Sequence, residues 1–254
     1  MSKLIFSLIF FFWISNASLA RNTGETEIIT EDGIEVFQEE KYYLLKKNVK
    51  INSDDFDLTG QLVKIYFDNG LDDLQEIIAN DNVVFNSPKY NIKGKGNKVI
   101  FNVKNQNVLI SGKASKLHME NLEMVSNSEI KLDNTNGSFL IVGENSKLIT
   151  ENVKINGSKI QGDFEIVDGK RVISILKVED KEKLIINTDE IEMFAKKALF
   201  DNKKSIIELF ENVKIVKENE SIAGDYGILD TKKNSYKVSS QNSKKVRALI
   251  GSNE

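Results

Sequence analysis

Apolar and polar residues alternate along much of this chain. Val63-Lys64-Ile65-Tyr66-Phe67 alternates, as do Val49-Lys50-Ile51 and residues 99–103, and a period of two is the signature of a strand with one buried face. Ile, Val, Phe and Tyr fill the apolar positions and Ala is scarce, which suits strands better than helices. Asn69-Gly70, Asn136-Gly137, Asn156-Gly157 and Asp168-Gly169 punctuate the pattern, and such pairs supply the positive φ that tight hairpin turns demand. Antiparallel pairing follows. Pro88 is the only proline, so almost every residue can donate to a ladder. Residues 71–78 and 191–199 place apolar side chains at helical spacing, yet strands remain the better expectation there, because Ile77-Ile78 and Ile206-Ile207 lead into a recurring mark.

That mark is Asn-Val followed by a further residue and an apolar one, at Asn48, Asn82, Asn152 and Asn212. In three copies a Gly follows the Asn by 12 residues, at Gly60, Gly94 and Gly224; in the copy at Asn152 it follows by 10, at Gly162. A first interval of 34 residues fits a helical repeat, but the residues between the marks alternate as strands do. The expectation is a single β domain over residues 21–254 built from repeated strand units, with no Pro-rich or Gly/Ser-rich linker to divide it. Residues 126–169 look irregular.

The N-terminus changes the partition of the chain. Met1-Ser2-Lys3 precedes an apolar run from Leu4 to Ile14, too short for the ~20 residues of a membrane span. Ser18 and Ala20 are small where a signal peptidase needs small residues. Residues 1–20 therefore read as a signal peptide cleaved after Ala20, which directs the mature chain to the periplasm. Cleavage removes four of the 14 Phe and the only Trp, and with Lys3 it moves the formal charge from −3 to −4. That balance argues against nucleic acid as partner. The chain has no Cys, so burial and backbone hydrogen bonding must stabilise it.

Catalytic apparatus is hard to find. The single histidine, His118, stands between Leu117 and Met119, so alternation puts it on an exposed face. No Gly-x-Ser-x-Gly elbow accompanies it, and zinc lacks ligands without Cys or clustered His. Asp54-Asp55 and Asp72-Asp73 are the visible carboxylate pairs, but both sit beside turns and read as solvated turn ends. Neither 54–57 nor 218–220 has the spacing of a calcium loop, and Gly94-Lys95-Gly96 lacks the rest of a nucleotide loop. The expectations are no catalytic residue, no metal and no cofactor: a binder, not an enzyme. Residues 231–247 carry six cations and no acid. They are suited to lipid phosphates or an acidic partner, and read first as a solvated, weakly ordered tail.

The chain resembles the LptA (OstA) family of periplasmic lipopolysaccharide-transport bridge proteins. The resemblance is carried by Ile28-Ile29-Thr30-Glu31-Asp32-Gly33-Ile34-Glu35-Val36, by Tyr43-Leu44-Leu45-Lys46-Lys47-Asn48-Val49, and by units spanning 58–83, 90–112 and 187–230. It implies an open, twisted antiparallel β jelly roll whose apolar interior shields the acyl chains of lipid A. It also implies an LptC-like inner-membrane partner, an LptD-like outer-membrane translocon, and head-to-tail self-association through free strand edges. Each CH₂ withdrawn from water is worth about 0.8 kcal/mol, so an apolar face is where such a lipid must bind. Alternation assigns to the inward, lipid-binding face Val36, Val49, Ile51, Leu58, Ile65, Phe67, Val83, Phe85, Ile92, Phe101 and Val103. Rival readings are a membrane-anchored LptC-like component, which Ser18 and Ala20 disfavour, and a secreted structural β-solenoid or adhesin. A solenoid should show a short regular period, whereas the marks lie 34, 70 and 60 residues apart. A carbohydrate-active enzyme lacks a convincing acid and base.

Overall fold

A computed structural model describes residues 21–70, 73–240 and 245–251; residues 1–20, with the expected signal, lie outside it, as do Leu71, Asp72 and Lys244. The described chain is eighteen strands and one short 3₁₀ turn at Pro88–Tyr90. The strands are β1 (Glu27–Ile29), β2 (Ile34–Phe37), β3 (Tyr42–Asn52), β4 (Asp57–Phe67), β5 (Leu74–Ser87) and β6 (Ile92–Asn102). Four short ones follow: β7 (Val108–Ser111), β8 (Ser115–Met119), β9 (Leu122–Ser126) and β10 (Glu129–Asp133). The series then resumes with β11 (Ser138–Ile149), β12 (Val153–Val167), β13 (Lys170–Thr188), β14 (Glu192–Asp201), β15 (Ile206–Lys217), β16 (Glu220–Asp230), β17 (Ser235–Ser239) and β18 (Arg247–Ile250). Both segments with helical spacing are extended where described, in β5 and β14. The supposedly irregular middle is regular, forming β10 to β12. The basic C-terminal stretch is not a tail but supplies the two last strands.

Every pairing is antiparallel, and each long strand serves two sheets. A register shift near its middle, between Lys46 and Val49 in β3 for example, bends the strand so that one half joins sheet I and the other sheet II. In the middle of the chain the halves become separate strands: β7 and β10 continue sheet I, while β8 and β9 continue sheet II, all between β6 and β11. The result is a jelly roll, two facing sheets joined along one side by bent strands. Its ends are edges: β2 and β1 at the N-terminal end, β17 and β18 at the C-terminal end, each paired on one side only among the described residues.

The recurring Asn is the corner. Lys47 and Asn48 have φ of 68° and 50°, Asp81 and Asn82 63° and 55°, Glu211 and Asn212 64° and 57°. Two successive left-handed residues produce a bulge that turns the strand through the corner, and Asn tolerates that conformation better than most side chains. The Val after each Asn re-enters the interior: Val49 and Val213 lie opposite Gly60 and Gly224, as the marks suggest, but Val83 lies opposite Gly96, and Gly94 of that mark pairs with Phe85 instead. A Cβ on Gly60 would lie 3.3 Å from the Asn80 carbonyl, and one on Gly224 2.6 Å from that of Ser239, so the glycines let the neighbouring corner approach. The copy at Asn152 is different: it sits in the turn between β11 and β12, which accounts for its displaced glycine. Asn156-Gly157, expected as a hairpin turn, lies inside β12, where Gly157 pairs with Ser146. Asp168-Gly169 does make its tight turn, with φ of 51° and 75°.

Candidate functional site

Between the sheets the two halves of the roll differ. In the N-terminal half the interior is filled. Val49, Ile51, Leu58, Ile65, Phe67, Val83, Phe85, Ile92 and Phe101 are each at most 6% exposed and belong to one cluster. Phe56 lies at the mouth there, at the floor of an open concavity that Leu74 and Val103 line from the facing sheet. Its turn is held by Ser53, whose Oγ accepts the Phe56 N–H at 3.1 Å and donates to the Phe56 carbonyl at 2.9 Å, and its ring lies 5.3 Å from that of Phe101. Val103 packs against the edge of this cluster. Val36 does not join it: it lies opposite Tyr43 on the edge strand β2, where no further strand covers it, and is 46% exposed. Lys50 and Lys64 face outward as alternation requires, Lys64 with Nζ 3.6 Å from the Tyr42 ring centroid. His118 is also on the outer surface, between buried Leu117 and Met119.

The C-terminal half encloses space. A cavity of about 550 Å³ lies between the sheets, with an apolar wall that includes Leu148, Ile155, Phe164, Ile173, Leu176, Val178, Ile186, Ala198, Phe200, Ile207 and Leu229. Thr150, Asn152 and Thr188 from one rim and Asn202 and Thr231 from the other make its polar margin. Such a volume sits within the ~300–1,000 Å³ typical of ligand pockets, which are mostly apolar with few polar groups. Two residues reach across the mouth. Arg171, in the sheet I half of β13, reaches Glu120 in the β8–β9 turn, and Asn234 after β16 donates to Glu190 before β14 at 3.3 Å.

None of the cavity residues belongs to the inward set that alternation assigns. They lie beyond the first two marks, in strands where a second bulge interferes with counting. Between β12 and β13 the register shifts at Ser174, so that Ile173 pairs with Phe164 while Ile175 pairs with Asp163. Simple alternation from inward Leu176 would send Ile173 and Arg171 outward; the extra residue turns them in. The carboxylate pairs gather no chemistry: Asp54 and Asp55 are exposed in the β3–β4 turn and engage Arg21 and Lys89 in ion pairs, and Asp72 lies outside the described residues. Among the described residues no group of three or more His, Cys, Asp or Glu is placed to hold a metal ion.

Residues 29–138, from the end of β1 through the β10–β11 turn, match the profile of the family described as LptA/(LptD N-terminal domain) LPS transport protein. Over these residues the chain is LptA-like. The match supports a role in lipopolysaccharide transport. The LptA-like segment ends short of most of the cavity wall, and the unit at 187–230 that contributed to the resemblance lies outside it. Among solved structures, one similar to this chain is described as LptH, the LptA homologous periplasmic component of the conserved lipopolysaccharide transport device from Pseudomonas aeruginosa. It is 12% identical, with a TM-score of 0.44, over 52% of this chain and 95% of that one. No curated protein sequence matches the chain. No helix among the described residues is long and apolar enough to cross a membrane.

Proposed function

We propose that this LptA-like chain is a periplasmic carrier that holds the acyl chains of lipopolysaccharide between its sheets and passes the lipid along, by binding and without chemistry. The cavity in the C-terminal half carries the reading, because an apolar space with a polar margin suits an amphiphile and little else. Acyl chains enter it first. The filled N-terminal interior, from Val49 to Val103 with Val36 at its edge, continues the same track once its side chains part. Export removes residues 1–20.

Periplasmic material is expected to begin at Arg21 and to carry lipopolysaccharide through gel filtration. Photo-crosslinkers at Ile173 or Ile207 should capture the lipid more efficiently than ones at Ile51, Phe67 or Phe101, and those at outward Lys50 or Lys64 should capture none. Equal labelling of inward and outward positions would overturn the interior site.

The two ends suit partners of the same fold, whether an LptC-like protein, an LptD-like translocon or a second copy. Unpaired strand edges invite strand addition. Each sheet offers one edge at each end, so β2 can meet β17 while β1 meets β18. β16 is not itself an edge, since β17 covers it from Tyr226 to Asp230. Glu27, Glu31, Asp32 and Glu35 lie at the N-terminal end, Lys237, Lys245 and Arg247 at the other. Head-to-tail contact is heterologous and need not close. Sedimentation should show concentration-dependent assembly that weakens with salt and is lost in a Lys237→Glu, Arg247→Glu double variant. Unchanged assembly in that variant would exclude these edges.

A further inference from the structure

Arg171 is out of place on the inner face. It lines the cavity, and it and Glu120 are the two charged side chains of that lining. Its side chain is 22% exposed, and a guanidinium drawn into an apolar concavity costs free energy unless it is well satisfied. Its partners are weak or distant. One terminal nitrogen donates to Met119 Sδ at 3.3 Å, the other to Asn134 Oδ1 at 3.2 Å. The nearest carboxylate oxygen, on Glu120, stands at 3.9 Å, too far for a hydrogen bond. A guanidinium carries five N–H donors in a planar fork, so donors remain for a further acceptor. The fork sits where the apolar wall gives way to the rim, and the sequence places it there through the Ser174 bulge. A neutral apolar residue would line this position at lower cost.

We propose that Arg171 is the anion-recognition residue of this cavity. It receives the phosphate or carboxylate of an amphiphile whose chain lies against Ile173, Phe200 and Ile207, and Glu120 is the internal anion that the ligand displaces. This rests on the reading of the cavity as a lipid site. Planar bidentate contact is what an arginine fork offers an oxyanion and a lysine does not. Glu120 then acts as a placeholder: with no ligand bound it limits the charge imbalance at the rim, and it competes with every anion that enters.

The test uses the whole mature chain and three probes with twelve-carbon chains, the carboxyl carbon of dodecanoate included, below their micellar concentrations: dodecyl phosphate, dodecanoate and neutral dodecyl maltoside. Calorimetry gives the ratio of anionic to neutral affinity. In Arg171→Gln that ratio should fall about tenfold, the scale of a lost charge-assisted pair; in Arg171→Lys it should be restored only in part. In Glu120→Gln the ratio should rise severalfold, an opposite sign that a damaged cavity wall cannot produce. If dodecyl phosphate and dodecanoate respond alike, the fork reads negative charge; if one alone responds, the headgroup is identified. Loss of all three probes in equal proportion in Arg171→Gln, or an unchanged ratio in both variants, overturns the proposal and leaves the lipid site standing. Failure of all three to bind the unaltered chain removes the lipid site itself, and the role of Arg171 with it.

Discussion

Replacing Ala198 by Phe is expected to abolish retention of lipopolysaccharide while leaving the fold intact. Ala198 lies in the sheet I half of β14, faces Val178 and Leu209 across its neighbours, and borders the cavity. A benzyl group there projects into space that holds no protein atoms, so it fills rather than overpacks, and filling a void at a compatible position does not destabilise. What it displaces is ligand. If six methylenes lose their place, binding weakens by about 5 kcal/mol at ~0.8 kcal/mol each, more than three orders of magnitude in affinity. Lipid retained through gel filtration, alongside an unchanged far-ultraviolet dichroism spectrum, is the measurement. Full retention by a folded Ala198→Phe protein would show that the lipid lies elsewhere.

The second large effect separates the two halves of the interior. Phe85→Ala should cost about 3–5 kcal/mol of unfolding free energy, the usual range for a fully buried aromatic. Phe85 is 1% exposed, with the rings of Phe101 and Phe56 at 4.6 and 6.3 Å. Phe200→Ala should cost markedly less, because Phe200 is only partly buried and already borders a void. Denaturant titrations of the two variants measure both. Equal losses would mean that the C-terminal half is as tightly packed as the other, contrary to the cavity described above.

These contrasts explain what could be read from residues alone. Alternation identified strands and the inward side of Val49, Ile51, Leu58, Ile65, Phe67, Val83, Phe85, Ile92 and Phe101, because each lies in a stretch where parity is kept from a corner to a turn. The Asn-Val marks at 48, 82 and 212 were visible because a corner needs a residue that accepts positive φ and a neighbour without a side chain. The copy at Asn152 shares the letters by coincidence of local pattern, and only its glycine spacing separates it. Asn156-Gly157 has the composition of a hairpin turn but lies where β12 bends, and neither residue has a positive φ; the glycine is needed because a Cβ there would lie 2.8 Å from Val178 Cγ1. The cavity was not legible. Whether two facing sheets touch or stand apart depends on how their corners splay, which is set by contacts between residues far apart in sequence. Arg171 and Ile173 were hidden for a simpler reason: one extra residue at Ser174 reverses the count.

The pairing of each strand with its immediate neighbours in sequence gives the molecule a property beyond its grip on any ligand. Among the described residues each sheet is a stack of fourteen segments. At ~4.8 Å per segment the stack measures on the order of 60 Å from end to end. That dimension is a yardstick graduated in hairpins. Duplicating or deleting one hairpin within the stack changes the reach by about 10 Å and preserves which way each face points, whereas adding a single strand would reverse the chain direction and misplace the terminal edge. A lineage can therefore adjust the distance such a protein spans in whole steps, without redesigning either end.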